Sequence, residues 1–165
     1  MKDTDLLISN RGGSYTVTVS GRANFEYAVP LRDLARSTAE FAAFQLDMQN
    51  CTAMDSTFMG VLTMLAMKGK KCGVTIKIFN ASDVLKKLLR DLGIAKLFEF
   101  CDGAVSAADG EKSGIKSDML TTAETVEEAH IALADAEPEN VERFRDVIEF
   151  SHMDVENLKK KQNNQ

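Results

Sequence analysis

Two apolar runs open the chain, Leu6-Leu7-Ile8-Ser9 and Tyr15-Thr16-Val17-Thr18-Val19, the second alternating with period two. Between them, Asn10-Arg11-Gly12-Gly13-Ser14 supplies the Asn and Gly that tight turns require, so a hairpin is predicted. Ser20-Gly21-Arg22-Ala23-Asn24 predicts the end of the second strand, with Asn24 opening the approach to a helix. Leu31, Leu34 and Ala35 fall at helical spacing, and Pro30 suits a first turn, giving a helix to about Thr38. Ala43 to Met48 alternates as a strand. Phe58 to Met67 then reads as a helix reaching about Lys70, closed by Lys71-Cys72-Gly73. Val74 to Phe79 is a strand with Val74, Ile76 and Ile78 on one face. A helix follows, capped by Ser82 or Asp83, with the stripe Val84, Leu85, Leu88, Leu89 and Leu92, and Gly93 ends it. Ile94 to Phe100 gives a short last strand.

After the hairpin, strand and helix alternate, which predicts an α/β fold with a mainly parallel sheet and right-handed crossovers. The pattern then stops. Residues 103–120 shift to Gly, Ala, Ser, Asp, Glu and Lys and read as a linker, where limited proteolysis should cut first and leave a folded unit of residues 1–102. Beyond it, residues 121–165 form a helical extension. Thr121 to Ala136 carries Val126, Ala129 and Leu133. Pro138 to about Lys160 carries Val141, Phe144, Val147, Ile148, Val155 and Leu158. These one-sided helices must pack on something: the domain, another protein or, in a homodimer, a second copy.

Composition narrows the functions. A net charge of −5 leaves no basic stripe to neutralise phosphates, so no direct nucleic-acid partner is expected. No apolar run approaches the ~18 residues of a membrane span, and the N-terminus lacks a signal peptide's apolar segment. Cys51, Cys72 and Cys101 are odd in number and widely spaced, which suits a reducing cytoplasm. His130 and His152, without a paired-cysteine motif, predict no metal site, and no cofactor is expected.

The chemistry concentrates where the strand ending near Met48 passes into the next helix. Asp55, Ser56 and Thr57 sit at that junction, and all three are capping residue types, whose short side-chain oxygens accept from unpaired first-turn N–H groups. A hydroxyl beyond the carboxyl end of a strand stands where α/β proteins place their sites. The oriented N–H groups there also favour a negative charge.

Leu46-Asp47-Met48, followed by Met54-Asp55-Ser56-Thr57 and Gly60, resembles the Asp-Ser-Ser/Thr-Gly-Leu-Gly junction of STAS domains, the fold of anti-sigma-factor antagonists. A second block, Lys71-Cys72-Gly73-Val74 through Asn80-Ala81-Ser82-Asp83-Val84-Leu85-Lys86-Lys87-Leu88-Leu89, is similar to the family's next strand and helix. Gly93-Ile94-Ala95-Lys96-Leu97-Phe98 is similar to its close. The likeness spans residues 5 to 102. It implies a bacterial, cytoplasmic, non-enzymatic protein of transcription regulation. Ser56 is then the phosphoacceptor, with Thr57 as the alternative. The dephosphorylated chain binds a kinase-type anti-sigma factor through Asp55, Thr57, Phe58, Met59 and Gly60, phosphorylation releases it, and a Ser/Thr phosphatase resets it.

One residue departs from the pattern. Phe58 stands where the family has its first Gly; its ring either anchors in a partner's pocket or turns into the core. Phe58, Met59, Val61, Leu62, Met64, Leu65 and Met67 also leave this helix apolar all round, more than one sheet-and-helix layer readily buries. Part of it therefore reads as core and part as docking surface. Catalysis by the chain itself is not expected: Ser56 lies in no Gly-x-Ser-x-Gly elbow, and both histidines belong to the extension. Two other classes fit the same domain, a ligand-sensing STAS module and a cytoplasmic accessory subunit of a membrane transporter.

Overall fold

The computed structural model describes residues 5–38, 40–105 and 118–164. Strand β1 (Asp5–Arg11) pairs antiparallel with β2 (Ser14–Ala23), and Gly12 and Gly13 make the two-residue turn at φ +62° and +92°. Positive φ at both turn positions is what a hairpin's twist requires. Helix α1 (Phe25–Ser37) leads to β3 (Ala43–Met54), α2 (Ser56–Cys72) to β4 (Ile76–Phe79), and α3 (Asp83–Asp91) to β5 (Phe98–Cys101). The strands lie in chain order and every pair after the first is parallel. Right-handed crossovers that always step in the same direction place their helices on the same face of the sheet. The burial pattern agrees. Val17, Val19, Phe44, Leu46, Met48, Ile76 and Ile78 are buried, whereas Lys77 and Glu99 on the opposite face are exposed.

Five local expectations need correction. The second strand does not end at Ser20 but runs on to Ala23, and β3 continues from Met48 to Met54. Register shifts between Thr18 and Ser20 and between Gly21 and Arg22 each leave one extra residue in β3, so burial passes from Met48 to Cys51 to Met54. A period-two reading fails there because each bulge resets the alternation. Pro30 lies inside α1, not in its first turn, because Asn24 caps the helix six residues earlier, accepting from the Glu26 N–H at 3.0 Å. Ile94 to Phe100 is not one strand: Ala95–Leu97 form a single 3-10 turn before β5. The last predicted helix breaks in two, α5 (Glu139–Arg143) and α6 (Arg145–Asn163), at Phe144.

The extension begins with α4 (Met119–Ala136), capped by Asp118, whose carboxylate accepts from the Thr121 N–H at 2.7 Å. Most of the predicted linker, 106–117, lies outside the described residues. Ala129 and Leu133 of α4 are fully buried in the same hydrophobic cluster as the sheet and α2, and Phe144 packs against it. The far end is tied down as well. The buried Asn140 amide donates to the carbonyls of Leu92 and Leu133, both at 2.9 Å, and Arg143 donates to the Asp91 carbonyl at 3.1 Å. The molecule thus has three layers: sheet, the α1–α2 layer, and α4 across it. The third layer buries most of the side of α2 that the sheet does not reach, while Met67 stays exposed.

Candidate functional site

Asp55 is the N-cap of α2. Its carboxylate accepts from the Phe58 N–H at 2.8 Å, while its own N–H donates to the Ala23 carbonyl at the end of β2, at 3.0 Å. Of the three capping residue types at the junction, Asp55 therefore does the capping, and Ser56, the first helical residue, keeps its hydroxyl for another partner. Burial raises the Asp55 pKa above the ordinary carboxylate value, against backbone N–H groups of Phe58, Phe25 and Thr57 and the nearby His130, which lower it.

The partner of Ser56 is His130 of α4. Ser56 Oγ lies 2.8 Å from Nε2 of His130, across a sequence separation of 74. On the other side of the ring, Nδ1 lies 2.7 Å from the Val126 carbonyl. A carbonyl can only accept, so Nδ1 carries the proton, and in the neutral ring Nε2 accepts from the Ser56 hydroxyl. Burial lowers the His130 pKa from its ordinary 6.5, outweighing the Val126 carbonyl and the Asp55 carboxylate, which raise it, so the ring is neutral at pH 7. Its edge meets Phe144, centroids 4.9 Å apart. The expectation that Ser56 has no histidine nearby is thereby overturned. The helix that carries His130 folds back over the junction.

The other predicted site residues are interior. Thr57 is 6% exposed, Met59 5% and Phe58 0%, and Gly60 is buried too. The Phe58 ring belongs to the core of this chain, the second of its two readings. Gly60 meets the backbone of α4: a Cβ there would stand 2.6 Å from the Ala129 carbonyl carbon, closer than side chains tolerate. Beside this contact, the buried Arg32 of α1 donates through Nε to Glu128 at 3.2 Å, with Asp33 at 3.2 Å and Glu124 at 3.8 Å. Burial alone would lower the guanidinium pKa, but the hydrogen bonds and charges of Glu128, Asp33 and Glu124 outweigh it and raise it. Neither Arg32 nor His130 was marked by the sequence. An arginine between apolar helix positions and a histidine after Ala129 were the only signals.

A serine hydrogen-bonded to a neutral imidazole is a nucleophile–base pair in form. The Phe58 N–H, which could otherwise help to stabilise an oxyanion, is engaged by Asp55. What remains is a hydroxyl at a helix N-terminus, suited to carry a negative group, and a helix laid over it.

Residues 7–99 match the family model described as "Mlab, STAS domain". The chain belongs to the STAS domain family. Among solved structures, this STAS domain is similar to the anti-sigma factor antagonist SpoIIAA in its unphosphorylated form, at 12% identity and a TM-score of 0.47, over 62% of this chain and 90% of that one. It is also similar to an uncharacterised protein of the DUF3478 family with a SpoIIAA-like fold from Shewanella loihica PV-4. That pair shares 14% identity with a TM-score of 0.41, over 64% and 91% of the two chains. A comparison with curated proteins gives no match. Among the described residues, no helix is long and apolar enough to cross a membrane. The family match ends at residue 99, so α4, and with it His130, lies outside the matched part.

Proposed function

We propose that this STAS domain is an anti-sigma-factor antagonist that works by phosphorylation-controlled partner switching. The unmodified chain docks on a kinase-type anti-sigma factor, phosphate transfer to Ser56 ends the complex, and a Ser/Thr phosphatase restores it. The observation that carries this reading is the junction itself. Ser56 is the first residue of α2, directly after the capping Asp55, with its side chain only partly buried. Thr57, the alternative acceptor, is 6% exposed, which favours Ser56. A phosphate brings about −1.5 to −2 charges at pH 7. The helix N-terminus tolerates that charge, and His130 would be drawn to its cationic form beside it. On a partner's surface the same charge, next to Asp55, repels. Two unit charges ~4 Å apart interact by about 4 kcal/mol at an effective dielectric near 20, enough for a switch.

The test is phosphate transfer. With its kinase and ATP the chain should gain one phosphate, placed on Ser56 by mass spectrometry, and Ser56→Ala should abolish it. Ser56→Ala should then bind the partner constitutively and Ser56→Asp poorly, at matched stability, because Asp55 keeps the cap in both. Phosphate on Thr57 would shift the switch by one residue. Absence of phosphate, with equal binding by both variants, would favour a second reading. In it the domain docks constitutively, as an accessory subunit of a membrane transporter, and Ser56 serves only to hold His130. The hydrogen bond already made by Ser56 is the feature that supports it.

A further inference from the structure

Ser56 and Gly60, at the centre of the docking reading, are covered in this chain by the chain's own α4. We infer that α1 and α2 form a helix-receiving surface, that α4 is its intramolecular occupant, and that a partner docks by displacing α4 with a helix of like chemistry. Three contacts define that chemistry. A small residue must sit on Gly60, as Ala129 does, since any Cβ at position 60 meets the Ala129 backbone. A carboxylate one position earlier must meet the buried Arg32, as Glu128 does, with Glu124 one turn before it. A hydrogen-bond acceptor one position later must meet the Ser56 hydroxyl, as His130 Nε2 does. Leu133, one turn further on and fully buried, closes the seat with an apolar side chain.

The seat is built for displacement in a way the sheet is not. Beside the apolar Ala129 and Leu133, its contacts include a serine–histidine bond and the Arg32–Glu128 pair, and its fit depends on a glycine. Glycine inside a helix is less favourable than alanine, so the position is occupied at a loss that close packing must offset. That close packing is with α4. The surface also couples docking to the phosphoacceptor: while α4 is seated, Ser56 is held by His130, and a partner that lifts α4 frees the hydroxyl. The inference rests on the docking reading above, but its test needs neither kinase nor phosphate, so the two can fail separately.

In the full-length chain, Gly60→Ala removes room only on the α4 side and favours the α2 helix itself. Hydrogen exchange of α4 amides 122–134 should rise at least about tenfold while β3 and β4 keep their wild-type rates. Ala129→Leu, made from the other side, should do the same and leave the surface on α2 intact. A labelled peptide of residues 118–137 should then bind Ala129→Leu saturably. It should bind at least about tenfold more weakly to the wild-type chain, whose own α4 competes, and to Gly60→Ala, whose seat is blocked. A peptide carrying Glu128→Ala should lose affinity for Ala129→Leu. Sheet amides that exchange along with α4, or a chain that no longer folds with either substitution, would make α4 an integral layer of the core and overturn the inference. So would uptake that is equal in all three chains or absent from Ala129→Leu.

Discussion

The two sides of α2 are held by different physics. On one side Phe58, Leu62 and Leu65, all fully buried, recur at helical spacing and end at Gly69, which lies against Val74, Ile76 and Phe41. On the other side the residues are Ser56, Gly60 and Thr63, with Met64 at the edge, facing a helix that offers Thr125, Ala129, His130 and Leu133. The sheet side gains from apolar area, about 25 cal/mol per Å² removed from water, and tolerates any change that keeps shape and volume. The α4 side adds to the buried Ala129 and Leu133 a serine–histidine bond, a glycine contact and the Arg32–Glu128 pair. Area resists charge and pH. Paired polar groups do not, because the loss of one partner leaves the other buried and unsatisfied. A protein that must open along one seam and not along the other would be built this way.

The sheet side should show the largest effect. Leu62→Ala deletes a fully buried side chain between helix and sheet, so about 2–5 kcal/mol of global stability should be lost. In a denaturant titration the midpoint should fall for every probe together. If far-ultraviolet and α4-specific probes separate, the two sides are not ranked as argued.

The α4 side should lose less, and locally. Arg32→Ala strips Glu128 and Glu124 of their buried cation, but those carboxylates keep side-chain exposures of 31% and 26% and can rehydrate. About 1–3 kcal/mol is expected, charged to the seating of α4 and not to the sheet. Hydrogen exchange should show α4 amides opening early while β3 and β4 remain protected. Equal acceleration in both would erase the distinction between the two sides.

What the sequence made legible follows the same division. Strand alternation, the Gly12-Gly13 turn, the Asn24, Asp55 and Ser82 caps and the Gly73 close are local, and each leaves a mark within a few residues. The bulges in β3 hide because they reset the very period being read. The α4 seat hides for a deeper reason. Small residues and single polar partners carry no periodic signature, and Ser56 and His130 meet only because the fold brings the extension back across α2. An excess of apolar residues on α2 and the one-sided helices of residues 121–165 were the signs that a further layer was needed. Its occupant could not be named from pattern, and the polar stretch before it suggested separation where the chain in fact returns.

The smallest effect should come from acidification, and its sign separates the two sides most cleanly. His130 is buried and neutral in the seated state, with a pKa below its ordinary 6.5. A histidine whose pKa is lowered by folding contributes stability fully above its unfolded value. That stability is lost as pH falls through 6.5 toward the lowered value, because the open state binds the proton more readily. One proton sets a ceiling of about 1.4 kcal/mol per pH unit, and a partial shift gives less. Asp55 faces the same ring and acts oppositely. Its raised pKa means the folded state takes up its proton first, so acidification relieves a buried charge. The His152–Glu127 contact between α6 and α4, at 2.7 Å, lies at the surface. The isolating comparison is therefore with His130→Gln, which keeps Asp55, Glu127 and His152. Between pH 7.5 and 5.5, corrected for intrinsic exchange, opening of α4 should become easier in the wild-type chain than in the variant, with β3 and β4 unchanged in both. Parallel curves for the two chains would remove His130 from the seam, and a sheet that loosens in step with α4 would join the two sides of α2 into a single cooperative unit.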